Sequence, residues 1–210
     1  MYTLCSLSFP VCFLSGRADV VPDTLYHYYE KSRGPLRSIS ELSQQEFTAL
    51  MHEIGAQGTP ENRFDEAWKR DFYLHFRPYL ERTIKARFEA KGGRPRIDAP
   101  RYFTLGPSTW FLDWYKEPEA LAIPLAAIPE DLVSFTFPDS MMSYLIFEDR
   151  FEPFAKFKMP YHGEVFLRHE LAGLIDSYGL PDESDPRNIE HGNRIIEAQV
   201  WDLELLKTLV

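Results

Sequence analysis

Arg194-Ile195-Ile196-Glu197-Ala198-Gln199-Val200-Trp201-Asp202 decides how this chain is read. Ile196, Ala198 and Val200 alternate with Ile195, Glu197, Gln199 and Trp201, the two-residue period of a β-strand. The first set makes an apolar face for a core, so Glu197 and Gln199 point together to the opposite side. Glutamate is depleted inside strands. Glu197 therefore faces solvent, or it faces a cleft and acts there.

Working outward, residues 181–192 are rich in Asp, Pro and Gly and read as a loop of a length that is often functional or mobile. Residues 168–178 read as a helix closed by Gly179. Short apolar runs at 101–105, 120–125, 132–137 and 143–147, punctuated by Pro, Gly and Asp, read as strands. An aromatic knot at 110–115 (Trp-Phe-Leu-Asp-Trp-Tyr) reads as a helical turn packed into the core. Nearer the start, 24–30 is strand-like and turns at Arg33-Gly34-Pro35. Ser43-x-x-Glu46 is a capping box for a short helix closed by Gly55. Residues 61–90 carry Phe64, Trp68, Phe72, Phe76, Leu80, Ile84 and Phe88 at spacings of four, a helix that Pro78 should kink or split and Gly92-Gly93 ends. Its remaining surface is dense in Arg and Lys, including Arg77. The expected fold is α+β: a mixed, mostly antiparallel split sheet with flanking helices.

The chain has 210 residues, 44% hydrophobic and 26% charged, and a formal net charge of −9. This suits a single globular domain, expected over residues 24–210. The acidic balance argues against non-specific nucleic-acid binding, leaving nucleic acid conceivable only as a substrate. Two cysteines, Cys5 and Cys12, form neither a disulfide framework nor a zinc pattern, so a reducing, cytoplasmic setting is expected. Residues 1–23 read as an N-terminal arm or an over-extended start. They have no basic residue before Arg17, unlike a secretory signal, and Pro10 interrupts an apolar run too short to span a bilayer.

No Gly-rich phosphate loop, nucleophile elbow, paired CxxC or HExxH pattern occurs. His162 and His169 lack partners at ligand spacing, so no metal site is expected. What remains is a constellation of three segments. Residues 25–29 place His27 and Tyr29 on one strand face. Residues 133–144 run from a strand, with Ser134 and Thr136 on one face, into a turn at Asp139-Ser140 and on to Tyr144. The Glu197 strand is the third.

Two resemblances attach to these residues. Leu25-Tyr26-His27-Tyr28-Tyr29-Glu30-Lys31 with Gly34-Pro35, Lys91-Gly92-Gly93, Trp114-Tyr115-Lys116-Glu117, Ser134-Phe135-Thr136, Tyr178-Gly179-Leu180-Pro181 and Glu197-x-Gln199-Val200-Trp201-Asp202 resemble a family of uncharacterised bacterial proteins. More remotely, the order of early histidine, middle turn and late glutamate is similar to ADP-ribosyltransferases, in particular the DNA-modifying toxin branch. Here those would be Tyr26-His27, the segment Phe135 to Tyr144, and Ile196-Glu197-Ala198-Gln199-Val200. Tyr29 stands where those enzymes have Thr, and the middle segment lacks their Arg.

The resemblance implies NAD as substrate, with ADP-ribose passed to an unknown acceptor. Glu197 would be the catalytic carboxylate, stabilising positive charge that develops on the ribose. His27 would hydrogen-bond the ribose, Gln199 would help position acceptor or ribose, and Ser134 and Thr136 would complete the cofactor contacts. Tyr29, Phe103, Phe135 or Tyr144 could stack on nicotinamide. Arg101, or the basic face of the second helix, could meet the pyrophosphate. The alternative is a non-catalytic acidic module, immunity- or antitoxin-like, that docks a basic protein partner. Convergence of His27 and Glu197 on one concave pocket would separate the two.

Overall fold

A computed structural model describes residues 20–56, 64, 66–150 and 155–210. The expectations for residues 1–19, with both cysteines, and for the start of the second helix at 61–63 and 65 lie outside the described residues.

Five strands form one antiparallel sheet: β1 (Thr24–Glu30), β2 (Arg101–Leu105), β3 (Pro118–Pro124), β4 (Val133–Thr136) and β5 (Glu197–Val200), in the order β3-β1-β2-β5-β4. The Glu197 segment is an inner strand, paired with β2 on one side and β4 on the other. β1 pairs with β3 along its full length but with β2 only at Leu25↔Leu105 and Tyr26↔Thr104. Pairing between β1 and β2 thus stops beyond Tyr26, while the five strands still form one sheet.

Both faces of β5 are covered. Ile196, Ala198 and Val200 join Phe103, Val133 and Phe135 in the larger core. The helix α4 (Leu171–Tyr178) packs into that core through Leu171, Leu174 and Ile175. On the other face, Trp201 packs with Phe76, Leu80, Ile84 and Phe88 of the long helix α2 (Ala67–Ala90) and with Tyr144 of α3 (Ser140–Phe147). Each such side chain taken fully out of water contributes roughly 1.5–3 kcal/mol. The helix α1 (Gln44–Gly55) begins at the capping box, with Ser43 Oγ accepting from Glu46 N–H and Glu46 Oε2 accepting from Ser43 N–H. Two short helices, α5 (Pro186–His191) and α6 (Leu203–Thr208), complete the chain. Among the described residues no helix is long and apolar enough to cross a membrane.

Three elements differ from their sequence reading. Residues 143–147 are helical, not a strand, because the Asp139 carboxylate accepts the Met142 N–H and nucleates α3. A short apolar run fits a buried helix as well as a strand, and the cap decides. Pro78 does not split α2, which is continuous across it. The loop at 181–192 contains α5, started by Asp185 and Pro186 and closed by Gly192 in the left-handed conformation. The aromatic knot is a 3-10 turn, Trp110–Trp114, as expected, but it is not packed into the core as the sequence suggested: none of its residues is buried, and Leu112 is 40% exposed.

Candidate functional site

The register of the sheet sets the site. Glu197 lies opposite Thr104 on one side and Thr136 on the other, and Thr104 lies opposite Tyr26. One row of side chains therefore runs Tyr26, Thr104, Glu197, Thr136 across four strands. The next row places Tyr102, Gln199 and Ser134 side by side. A cleft of about 190 Å³ opens over this face, and Glu197, Asp139, Arg77, Tyr102 and Tyr26 line it.

Glu197 is 8% exposed. Its Oε2 accepts the Ser140 backbone N–H at 2.9 Å and Gln199 Nε2–H at 3.2 Å. Oε1 takes no hydrogen bond from the described residues and is not sealed from the cleft. Burial raises its pKa above the usual carboxylate range, and the nearby Asp139 carboxylate raises it further. Arg77 and the hydrogen bond from the Ser140 N–H work in the opposite direction. The residue is a buried carboxylate with one oxygen fixed and one left open.

A buried relay fixes it. Trp201 Nε1–H donates to Ser134 Oγ at 2.9 Å, and Ser134 Oγ–H donates to Gln199 Oε1 at 2.9 Å. With its carbonyl so engaged, the Gln199 amide must turn its nitrogen toward Thr136 Oγ1, at 3.0 Å, and Glu197. Ser134, Thr136 and Gln199 are each fully buried. This corrects their expected role: they lie beneath Glu197 and orient it, and no ligand in the cleft reaches them. Tyr144 is also corrected. It sits fully buried on α3 in the core under α2, and burial raises the pKa of its phenol. Phe135 is likewise core, not a stacking platform.

Arg77 is the main feature that the sequence reading did not single out. It projects from α2 with its guanidinium 3.8 Å from the centre of the Tyr102 ring, and its Nε–H donates to Glu81 Oε1 at 2.8 Å. The same Glu81 oxygen accepts from Ser40 Oγ and Tyr102 OH, so one buried carboxylate holds both arginine and ring in place. The two terminal nitrogens of Arg77 have no hydrogen-bond partner among the described residues. Burial opposes its charge, but Tyr102, Tyr73, Glu81 and Glu197 outweigh that and the pKa is raised. Arg77 is thus a fixed cation on the wall of the Glu197 cleft. The four-residue spacing of Arg77 and Glu81 was a readable signal; the partner Tyr102, a strand residue 25 positions away, was not.

His27 and Glu197 do line the same cleft. They come from opposite faces, since His27 sits beside Phe103 and Glu197 beside Thr104. They meet where that pairing stops: beyond Tyr26 the strands part, and the imidazole fills the gap. Its Nδ1–H donates to the Tyr102 carbonyl at 2.8 Å, and its Nε2 accepts the Leu36 N–H at 3.0 Å. Burial and the Arg101 charge lower its pKa, against the raising effect of the carbonyl, which fits the neutral ring this pairing requires. Both nitrogens are spent, so the expected hydrogen bond from His27 to a cofactor is replaced by a structural one.

Arg101 is spent too. It is 2% exposed, paired with both oxygens of Glu41 at 2.7 and 2.8 Å, and it donates to the Leu36 carbonyl at 2.6 Å. His27 and Arg101 together pin Leu36 at φ 61°, a left-handed backbone uncommon for leucine. That turn sets the position of Arg37 and Ser38, which also line the cleft. Tyr29 stacks on His27 and donates to Glu119 at 3.0 Å. It lines an adjoining hollow, not the Glu197 cleft itself.

Asp139 combines two roles, capping α3 and lining the cleft close enough to disfavour charge on Glu197. Among the described residues no group of three or more His, Cys, Asp or Glu could hold a metal ion. Comparison of the chain with protein-family models, with curated proteins and with solved structures returned no match.

Proposed function

We propose that this chain binds NAD in the Glu197 cleft and transfers its ADP-ribose to an acceptor nucleophile. The observation that carries the reading is Glu197 itself, a buried carboxylate anchored through one oxygen and open through the other, facing a cleft walled by tyrosines and a fixed arginine.

The chemistry needs those parts. The bond between ribose C1′ and the nicotinamide nitrogen breaks, and its electron pair leaves with the ring, which becomes neutral nicotinamide. Positive charge builds on the ribose, and Glu197 Oε1 stabilises it in a site of low dielectric. The acceptor adds through a lone pair to C1′ and loses its proton to solvent or to Glu197. Arg77 supplies the charge complement for a phosphate through its two terminal nitrogens. Tyr26 offers a ring face to nicotinamide.

The test is nicotinamide release from NAD by the full chain. Wild type releases nicotinamide, and Glu197→Gln releases it about 10²–10³-fold more slowly, the usual loss for removing one preorganised electrostatic group. Equal rates in the two would overturn the reading. The docking alternative draws support from Trp68, Phe72 and Tyr79, aromatic side chains of α2 left exposed to solvent. A chain that neither binds nor cleaves NAD would return the interpretation to that surface.

A further inference from the structure

Asp139 carries more than a helix cap requires. Its Oδ1 accepts the Met142 N–H at 3.0 Å and starts α3, while Glu197 Oε2 accepts the Ser140 N–H at 2.9 Å. Both donors belong to the first turn of one helix, a span of about 5.4 Å, so two carboxylates share that turn. Both residues line the same cleft and both are nearly buried, Asp139 at 6% and Glu197 at 8% exposure.

A cap alone does not call for this. Asn and Ser close a helix start about as well as Asp and bring no charge. An aspartate here sets a second carboxylate beside one that is already buried, and each makes ionisation of the other harder. Asp139 raises the pKa of Glu197 for that reason. The helix dipole offsets part of the cost, and the Arg77 guanidinium on the cleft wall offsets more. Costly like-charge pairs in a cleft are a mark of catalytic sites, where two carboxylates divide two tasks.

Glu197 faces the cleft through Oε1 and is committed to the ribose. The task left in the transfer is removal of the acceptor's proton. We propose that Asp139 is the general base of the transfer, and that the acceptor attacks through a hydroxyl oxygen, water in the simplest case. An amine or ring nitrogen already offers a lone pair, whereas a hydroxyl is a weak nucleophile until a base takes its proton as the new bond forms. The C1′–nitrogen bond breaks, and its electron pair leaves with nicotinamide. An oxygen lone pair of the acceptor then forms the bond to C1′. The O–H proton passes to the Asp139 carboxylate and from there to solvent, while Glu197 keeps its charge. This role of Asp139 rests on the NAD reading of the cleft and names the class of acceptor that reading left open.

The experiment follows nicotinamide release from NAD by the full chain, with Asp139→Asn and Asp139→Ser beside wild type and sodium azide as a second acceptor. Both replacements keep a side-chain cap for the Met142 N–H, so α3 stays formed, and circular dichroism melts check this. Calorimetry should show NAD bound by both variants at least as tightly as by wild type. Without azide, both should release nicotinamide about 10²-fold more slowly than wild type, the low end of what a general base supplies. Azide is an anion that needs no base. It should raise release by the variants about tenfold or more, give an ADP-ribosyl azide seen by mass spectrometry, and leave wild type nearly unchanged. Release at the wild-type rate, or slow release that azide does not restore, from folded variants that bind NAD would overturn the base and leave the Glu197 reading standing. A wild type that releases no nicotinamide would remove both.

Discussion

Glu197 is held in a place that disfavours its charge. Burial and Asp139 raise its pKa, so folding costs free energy whenever the side chain must ionise. The sign follows from linkage. Between the ordinary glutamate pKa and the raised value, the folded chain holds a proton that the unfolded chain has lost. Stability therefore falls as pH rises through that window, and the penalty is complete above it. Glu197→Gln, which keeps an acceptor for the Ser140 N–H, should raise Tm at pH 7 by about 2–4 °C, the shift that roughly 1 kcal/mol gives in a domain of this size. That gain should shrink toward zero near pH 4, in melts followed by circular dichroism. A variant less stable than wild type at pH 7 would make Glu197 a structural residue.

At the scale of elements, α2 carries the lesson. The spacing of four named the helix, yet only Phe76, Leu80, Ile84 and Phe88 reach the core, while Trp68 and Phe72 lie at 59% and 36% exposure. A row of side chains four apart drifts by about 40° per step on an α-helix, so the stripe winds out of the core over five steps. Pro78 sits on the exposed side of the same helix, where its missing N–H costs one intrahelical bond without disturbing the packing. Pro78→Ala should stabilise the chain by about 1–2 kcal/mol in urea unfolding, the helix-propensity gain partly offset by a freer unfolded state. No change, or a loss, would mean that the proline fits the helix at no cost. The capping box of α1, the β5 alternation and the 3-10 turn at the aromatic knot were all legible because each is written in adjacent residues. The helix α3 was misread because its run, Phe147 apart, is buried and has no alternation to betray it.

At the scale of the molecule, the C-terminal loop is strapped to the aromatic knot by one side chain. Glu183 accepts from Ser108 Oγ, from Thr109 N–H at 2.8 Å and Oγ1 at 2.7 Å, and from Trp110 N–H at 3.1 Å. Arg194 then lies over the Trp110 ring at 4.8 Å. Phe111 and Trp114 of the knot line the Glu197 cleft. Glu183→Ala should increase hydrogen exchange in both residues 108–114 and 181–192, since the strap joins them. A change confined to the loop would show that the knot stands without it.

Glu197 stood out in the sequence because a carboxylate in a strand is rare, and the structure buries it beside the cleft. Its neighbours were not legible, because they depend on register. Slide β5 by one residue against β4 and Gln199 no longer meets Ser134 and Thr136. The same holds for His27, whose sequence context reads as a ligand-facing strand residue. Only the parting of β1 and β2 shows that its two nitrogens are used to hold the sheet and the Leu36 turn.

The central claim is that this cleft is a nucleotide site with Glu197 as its reacting carboxylate. The most direct measurement is calorimetric binding of NAD to Glu197→Gln, which keeps the cleft but lacks the charge, beside Arg77→Gln. NAD bound by Glu197→Gln at micromolar concentrations and about tenfold or more weaker in Arg77→Gln is the result predicted. No heat of binding to Glu197→Gln or to wild type, with the fold intact, would contradict it.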